Sequence, residues 1–201
     1  MDDVVPGTTI ASVWGNDIRD RTVQRYANPA DRDAKNPSPE AGDVAYVQSV
    51  GEVQLYTPLT VGGSYWVAIT HKPYARYAEP GYSLPVQTTR EADRWTIGNP
   101  GRLVDPQVQA IVEIASPGSG EARNWCRIDI STNGGSTWTT GEEWETGLPL
   151  INATNRRVTL PVFAASGAAI PTGNVVARLM SYAQSGPNNQ TIANVQWMAT
   201  L

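Results

Sequence analysis

Apolar and polar residues alternate along much of the second half of the chain. "VQAIVEIAS", "RNWCRIDIS", "STWTTG", "RRVTLPVFAA", "NVVARLMSYAQ" and "QTIANVQWMATL" all carry the two-residue period of a strand with one buried face. In the last run Ala193, Val195, Trp197 and Ala199 alternate with Asn194, Gln196 and Met198. The clusters "SPGSGEA", "TNGG", "SGAAIPTG" and "SGPNN" punctuate these runs as turns do. About six or seven strands over residues 107–201 predict a C-terminal β-sandwich of jelly-roll or immunoglobulin-like type. "SPGSGEA" reads as a hairpin turn, and Asn133-Gly134 or Gly134-Gly135 as a two-residue hairpin turn. The last strand is expected to stay ordered through Leu201.

The pattern differs upstream. In residues 1–29, Ile10, Val13, Trp14 and Ile18 recur at helical spacing behind the capping hydroxyls of Thr8, Thr9 or Ser12. This predicts an extended arm and a short helix. Gly15 and Asn16 weaken that helix, so its four apolar residues are candidate assembly contacts. Residues 30–70 begin with a Pro-rich loop, including one helical turn at Ala30–Lys35, and continue into three strands. They predict a small β-meander that cannot stand alone. In residues 71–106 the periodicity fades among Pro73, Pro80, Pro85, Pro100 and Pro106. Tyr74, Tyr77, Tyr82 and Trp95 distinguish this stretch from a flexible linker. It reads as an extended connection clamped onto a surface, its own or a neighbour's, with the three tyrosines as candidate assembly contacts. The predicted whole is mainly β.

Composition narrows the classes. The 18 glycines and 15 prolines fit short strands joined by many turns rather than long helices. With 17% charged residues, a net charge of −4 and scattered basic residues, the chain has no nucleic-acid footprint. The single cysteine, Cys126, allows neither an intrachain disulfide nor a CxxC pair and reads as a buried inert thiol. The acidic N-terminus is no secretory signal, and no apolar run approaches the roughly 18 residues of a membrane helix. A soluble protein made in the cytoplasm, without membrane insertion, is expected.

Candidate chemistry is sparse. His71 is the only histidine and no GxSxG elbow is present, which argues against a Ser–His–acid triad. Metal-ligand clusters, P-loops and dinucleotide fingerprints are missing from the sequence, so no metal and no cofactor are expected. Glu142, Glu143 and Glu145 flank Trp144, and Glu113 and Asp129 lie on predicted strands. A glycosidase needs two carboxylates at a set separation. A solvated acidic loop explains this cluster better, and the chain is read as no enzyme. Glycan binding demands less, and Trp138, Trp144 and Glu143 are its candidate contacts, weighed against core and interface packing. "STNGGSTW" also resembles the Asp-box of β-propellers: Ser131, Gly135, Thr137 and Trp138 match, with Asn133 in the Asp position. That motif is a structural hairpin, and one copy does not make a propeller.

The segment "RYANPADRDAKNPSPEAGDVAYVQSVGEVQLYT", followed by "GGSYWVAI", resembles a module of tailed phages, especially those of actinobacterial hosts. Ala30, Arg32, Asp33, Ala34, Pro39, Gly42, Tyr46, Val47, Leu55, Tyr56, Gly63 and Trp66 carry the match. Trp14, Asn16, Arg19 and Asp20 stand in the order of the helix that precedes the module in such proteins. The likeness covers roughly residues 8–68, about a third of the chain. It implies a virion structural protein of minor tail, fibre or head-decoration type, usually a homotrimer, assembled in the host bacterial cytoplasm. Its partners would be other tail or capsid proteins, and host-surface glycan is a possible further one. No long fibrous repeat joins the two ends, so a short knob is implied.

Overall fold

The computed structural model describes residues 23–59, 63–69, 73–83, 87–115, 123–145, 156–165, 167–185 and 190–201. The predicted helix with Ile10, Val13, Trp14 and Ile18 lies outside these residues, as does His71. The protein is mainly β, with one short helix among the described residues. It divides into two compact units, Met1–Thr70 and His71–Leu201.

The first unit contains β1 (Gln24–Tyr26), α1 (Pro29–Lys35), β2 (Val44–Val47), β3 (Glu52–Leu59) and β4 (Gly63–Ala68). The strands form one sheet in the order β1-β2-β3-β4, with β1 parallel to β2 and the other pairs antiparallel. The helix begins where sequence placed its turn. Pro29 occupies the first turn and the Asn28 side chain accepts from the Asp31 amide at 2.9 Å, satisfying one of the donors a helix start leaves over. The Asp31 carboxylate accepts in turn from Lys35 and from the Ala27 amide, and these two bonds hold its pKa below the usual range.

β2, β3 and β4 are the expected three-stranded meander, but Gln24–Tyr26, at the end of the stretch read as helical, adds β1 as a fourth, parallel strand, and the core is built on a residue whose role periodicity does not reveal. Tyr26, Ala45 and Trp66 form the apolar cluster, with Tyr56 packed on it and its ring 5.3 Å from that of Trp66. Arg32 is buried among them, its guanidinium 4.6 Å over the Trp66 ring. It donates to Asp33 at 2.7 Å and to Gln54, whose amide donates to the buried Glu52 at 3.2 Å. Gly42 closes the loop before β2 at φ +101°, a conformation that favours glycine, and its amide donates to the Tyr56 carbonyl at 2.9 Å.

The second unit contains β5 (Tyr74–Ala78), β6 (Tyr82–Ser83), β7 (Arg90–Gly98), β8 (Gln107–Ala115), β9 (Arg123–Ser131), β10 (Thr139–Thr140), β11 (Trp144–Glu145), β12 (Arg156–Thr159), β13 (Phe163–Ala164), β14 (Val175–Ser185) and β15 (Thr191–Thr200). One sheet runs β12-β8-β15-β5, with β13 on β8 and β6 on β15. The other runs β10-β9-β14-β7, with β11 on β9. Both sheets feed one core, in which Val108, Val112 and Trp197 of the first meet Trp95, Ile128 and Leu179 of the second. This is a sandwich-like arrangement in which the main strands β5, β7, β8, β9, β12, β14 and β15 change sheet at every step.

Two expectations are corrected here. The described part of residues 71–106 does lie on the chain's own surface, but as integral strands rather than a connection: it supplies β5, β6 and β7 to the two sheets. Periodicity fails there because β7 is bulged against β14 and because Asp93 serves the interior, accepting from the Trp197 indole at 2.7 Å and from Arg76 at 2.9 Å. A bulge and a half-buried carboxylate turned to the interior each break the alternation that marks a strand. "SPGSGEA" itself lies outside the described residues, but the strands on either side of it, β8 and β9, lie in different sheets and do not pair as a hairpin. Turn residues show where the chain bends, not whether the next strand returns beside the last.

Other expectations hold. Cys126 is buried in the core. Leu201 is buried, and its carbonyl accepts from the buried Arg102 at 3.1 Å. In β15, Val195, Trp197 and Ala199 face inward as read, whereas a register shift between Ile192 and Asn194 puts Ile192 rather than Ala193 in the core.

Candidate functional site

The segment from Ile130 to Gly141 is a hairpin, but a wider one than the two-residue turn expected. β10 pairs with β9 through Thr139↔Ile130 and Thr140↔Asp129, leaving residues 132–138 as the loop. Gly134 and Gly135 take the expected positive φ angles, 72° and 92°. Side chains organise the rest. Ser131 Oγ donates to Asn133 Oδ1 at 2.8 Å and accepts from the Gly135 amide at 2.9 Å. Asn133 Oδ1 accepts from the Thr137 amide at 2.9 Å, and Asn133 Nδ2 donates to Thr137 Oγ1 at 2.8 Å. The acceptor bonds are open to an aspartate, whose second oxygen can accept from the Thr137 hydroxyl where the amide now donates to it. Asn133→Ala is expected to cost about 1–2 kcal/mol in chemical denaturation, and Asn133→Asp less.

Trp138, at the end of that loop, is half-buried beneath two arginines. Arg178 lies 4.0 Å over its ring and Arg94 5.4 Å over it. These arginines belong to an ion network on the outer face of the five-stranded sheet. Asp129, with no exposed side-chain surface, accepts from Arg178 at 2.9 Å and from Arg127 at 3.1 Å. Glu91 pairs with Arg94 at 2.7 Å, and its hydrogen bond raises the Arg94 pKa above the ordinary value. Glu143, the acid proposed with the two tryptophans, is taken by Arg127 at 2.8 Å.

Trp144 stands apart from these two. It is 44% exposed on the edge strand β11, paired to Cys126 of β9. Beside it opens a cavity of about 190 Å³ lined by Ile128, Gly141, Glu142, Trp144, Leu160, Pro161, Val162 and Phe163. It therefore lies where an edge of one sheet meets an edge of the other. Its floor is set by a close approach: the Gly141 amide donates to the Ile128 carbonyl at 3.0 Å, and a Cβ on Gly141 would meet that oxygen at 2.3 Å. The sequence offered Glu142 only as half of a hydrolytic pair, yet it is Glu142 and not Glu143 that lines this cavity. Glu145 lies 3.9 Å from Arg123 and Glu113 3.0 Å from Arg157. Hence no second carboxylate of the described residues joins Glu142 in the lining, and among those residues no group of three or more His, Cys, Asp or Glu side chains is placed to hold a metal ion.

The three candidate tyrosines separate in the same way. Tyr74 and Tyr82 pack against the sandwich core of their own chain. Tyr77 is 54% exposed and its hydroxyl donates to Asn194 Oδ1 at 2.8 Å. A second, shallower groove of about 430 Å³ lies on the outer face of the six-stranded sheet, lined by Tyr74, Gln109, Val162 and Met198 among others.

No protein-family profile and no curated protein matches the chain. Solved structures do show likeness at low identity. The structure of infectious bursal disease virus Gx strain is 13% identical at a TM-score of 0.46, over 74% of this chain and 38% of that one. The infectious bursal disease virus VP2 subviral particle is 12% identical at a TM-score of 0.43, over 82% and 41%. Dimeric latent PorU from Porphyromonas gingivalis is 10% identical at a TM-score of 0.40, over 73% and 14%. The chain thus spans less than half the length of each. At TM-scores of this size, what the chain does has to be read from its own residues.

Proposed function

We propose that the chain is a structural component of a tailed-phage virion, of minor tail or fibre-like type, held by its N-terminal unit and displaying its C-terminal sandwich at the surface. The observation that carries this reading is the convergence of the motif residues. Arg32, Gly42, Tyr56 and Trp66 are scattered over the resemblance to phage modules, and they meet in one small core or in the loop that closes on it. The reading gains support from the size of that core. Three buried apolar side chains form its cluster, little for an autonomous domain. Among the described residues β1 and β4 have no strand on their outer sides, and an unpaired strand edge is a ready surface for a partner chain.

The sandwich, by contrast, has a core drawn from both sheets and is the natural displayed part. Its strand order favours the jelly-roll over the immunoglobulin alternative, because the latter keeps pairs of consecutive strands in one sheet. The display role is non-enzymatic. Removal of residues 1–70 is the test. The remaining chain is expected to fold with a cooperative transition and to be lost from purified particles. Incorporation at the full-length level would overturn the anchoring role.

A further inference from the structure

We propose that the cavity beside Trp144 is a subsite for one pyranose ring of a surface glycan. This deepens the display role proposed above and rests on it for the source of the sugar. The chemistry comes from the walls. A pyranose has an apolar C–H face and a rim of hydroxyls, so its site needs an open aromatic face, further apolar contact and an acceptor at the mouth. Trp144 is 44% exposed and supplies the face, while Phe163, Pro161 and Val162 supply apolar contact around it. Glu142 is exposed and lines the same cavity. A carboxylate is acceptor-only and takes charge-assisted bonds from two neighbouring hydroxyls.

Size and commitment of the neighbours agree. The cavity, about 190 Å³, suits one ring rather than an extended chain. Glu143 and Trp138 are engaged by arginines, so the neighbouring polar and aromatic groups do not compete for the same ligand. The backbone contact of Gly141 with Ile128 fixes the floor, which lowers the ordering cost of binding. A cationic side chain fits less well. Glu142 and the Trp144 face would attract an ammonium, but the aliphatic walls of Leu160, Pro161 and Val162 around them suit the C–H face of a sugar, whose hydroxyls stay in water at the mouth.

The test uses the full chain and a panel of methyl pyranosides (glucoside, galactoside, mannoside and N-acetylglucosaminide), read by saturation-transfer NMR. At least one glycoside is expected to bind, with the strongest transfer to its C–H face. Trp144→Ala should weaken that binding by roughly tenfold or more and Trp144→Phe less. Glu142→Gln should weaken it with the fold intact by circular dichroism. Absence of transfer from every glycoside, or transfer unchanged in Trp144→Ala, overturns the proposal. Binding of n-butylammonium that disappears in Glu142→Gln, with no glycoside bound, overturns it as well and assigns the cavity to a cationic side chain. Particle incorporation of Trp144→Ala, expected at the wild-type level, is a separate readout. Its loss would count against the division between anchor and display, not against sugar binding.

Discussion

Replacing Arg32 by alanine is expected to unfold the N-terminal unit and leave the sandwich intact. Arg32 is almost completely buried, stacked on Trp66 and bonded to Asp33 and Gln54. Its removal takes a cation, an aromatic contact and a hydrogen-bond donor out of a cluster of three apolar residues. Breaking a buried charged network by deleting one member costs about 3–5 kcal/mol, because the remaining polar groups stay desolvated. A unit this small has roughly that much stability to lose. Hydrogen exchange followed by mass spectrometry should show β2 and β3 losing protection, while β8, β9 and β14 keep theirs. Arg32→Met separates the causes: if it retains protection, packing rather than charge holds the unit. Full protection of β2 and β3 in Arg32→Ala would show that the buried arginine does not support the fold.

The largest effect in the second unit is expected at Trp197. It is 1% exposed, its ring lies 6.2 Å from that of Trp95, and its indole donates to Asp93 at 2.7 Å. Trp197→Ala leaves a large cavity where the two sheets meet and removes one donor from a half-buried carboxylate. Truncation of a core aromatic costs about 3–5 kcal/mol. Trp197→Phe keeps most of the volume and loses the donor, for a cost of about 1–3 kcal/mol. Chemical denaturation of the full chain should rank wild type above Trp197→Phe above Trp197→Ala for the sandwich transition. Equal midpoints for the two variants would mean that the bond to Asp93, not packing, carries the contribution.

The strands β8, β9, β14 and β15 were legible because their faces differ. Val108, Ala110, Val112 and Ile114 are buried along β8 while Gln109 and Glu113 turn outward. Hidden strands were those in which polar residues work on the inside. β7 carries Asp93 inward to Trp197 and is bulged, so a strand read as a connection. The partition of strands between sheets was not legible either, since alternation specifies a buried face and not which neighbour shares the ladder. At the candidate site, the Trp and Glu residues were visible by type. Their directions depend on partners distant in sequence: Arg94 and Arg178 reach Trp138, and Arg127 lies 16 positions from Glu143. One signal was available for the first unit. Arg32 stands in the module motif "ADRDA", although periodicity alone assigns no core role to a charged residue on a seven-residue helix.

The central claim is that this chain is a virion component held by a small module whose core is organised by Arg32. It is tested most directly by quantifying its peptides in virus particles purified from a host in which the chain is expressed. The account predicts a fixed copy number per particle for the wild type, retained by Trp144→Ala and lost by Arg32→Ala. Absence of the wild-type chain from the particles, or an undiminished copy number for an Arg32→Ala chain shown to have lost its N-terminal fold, would contradict it.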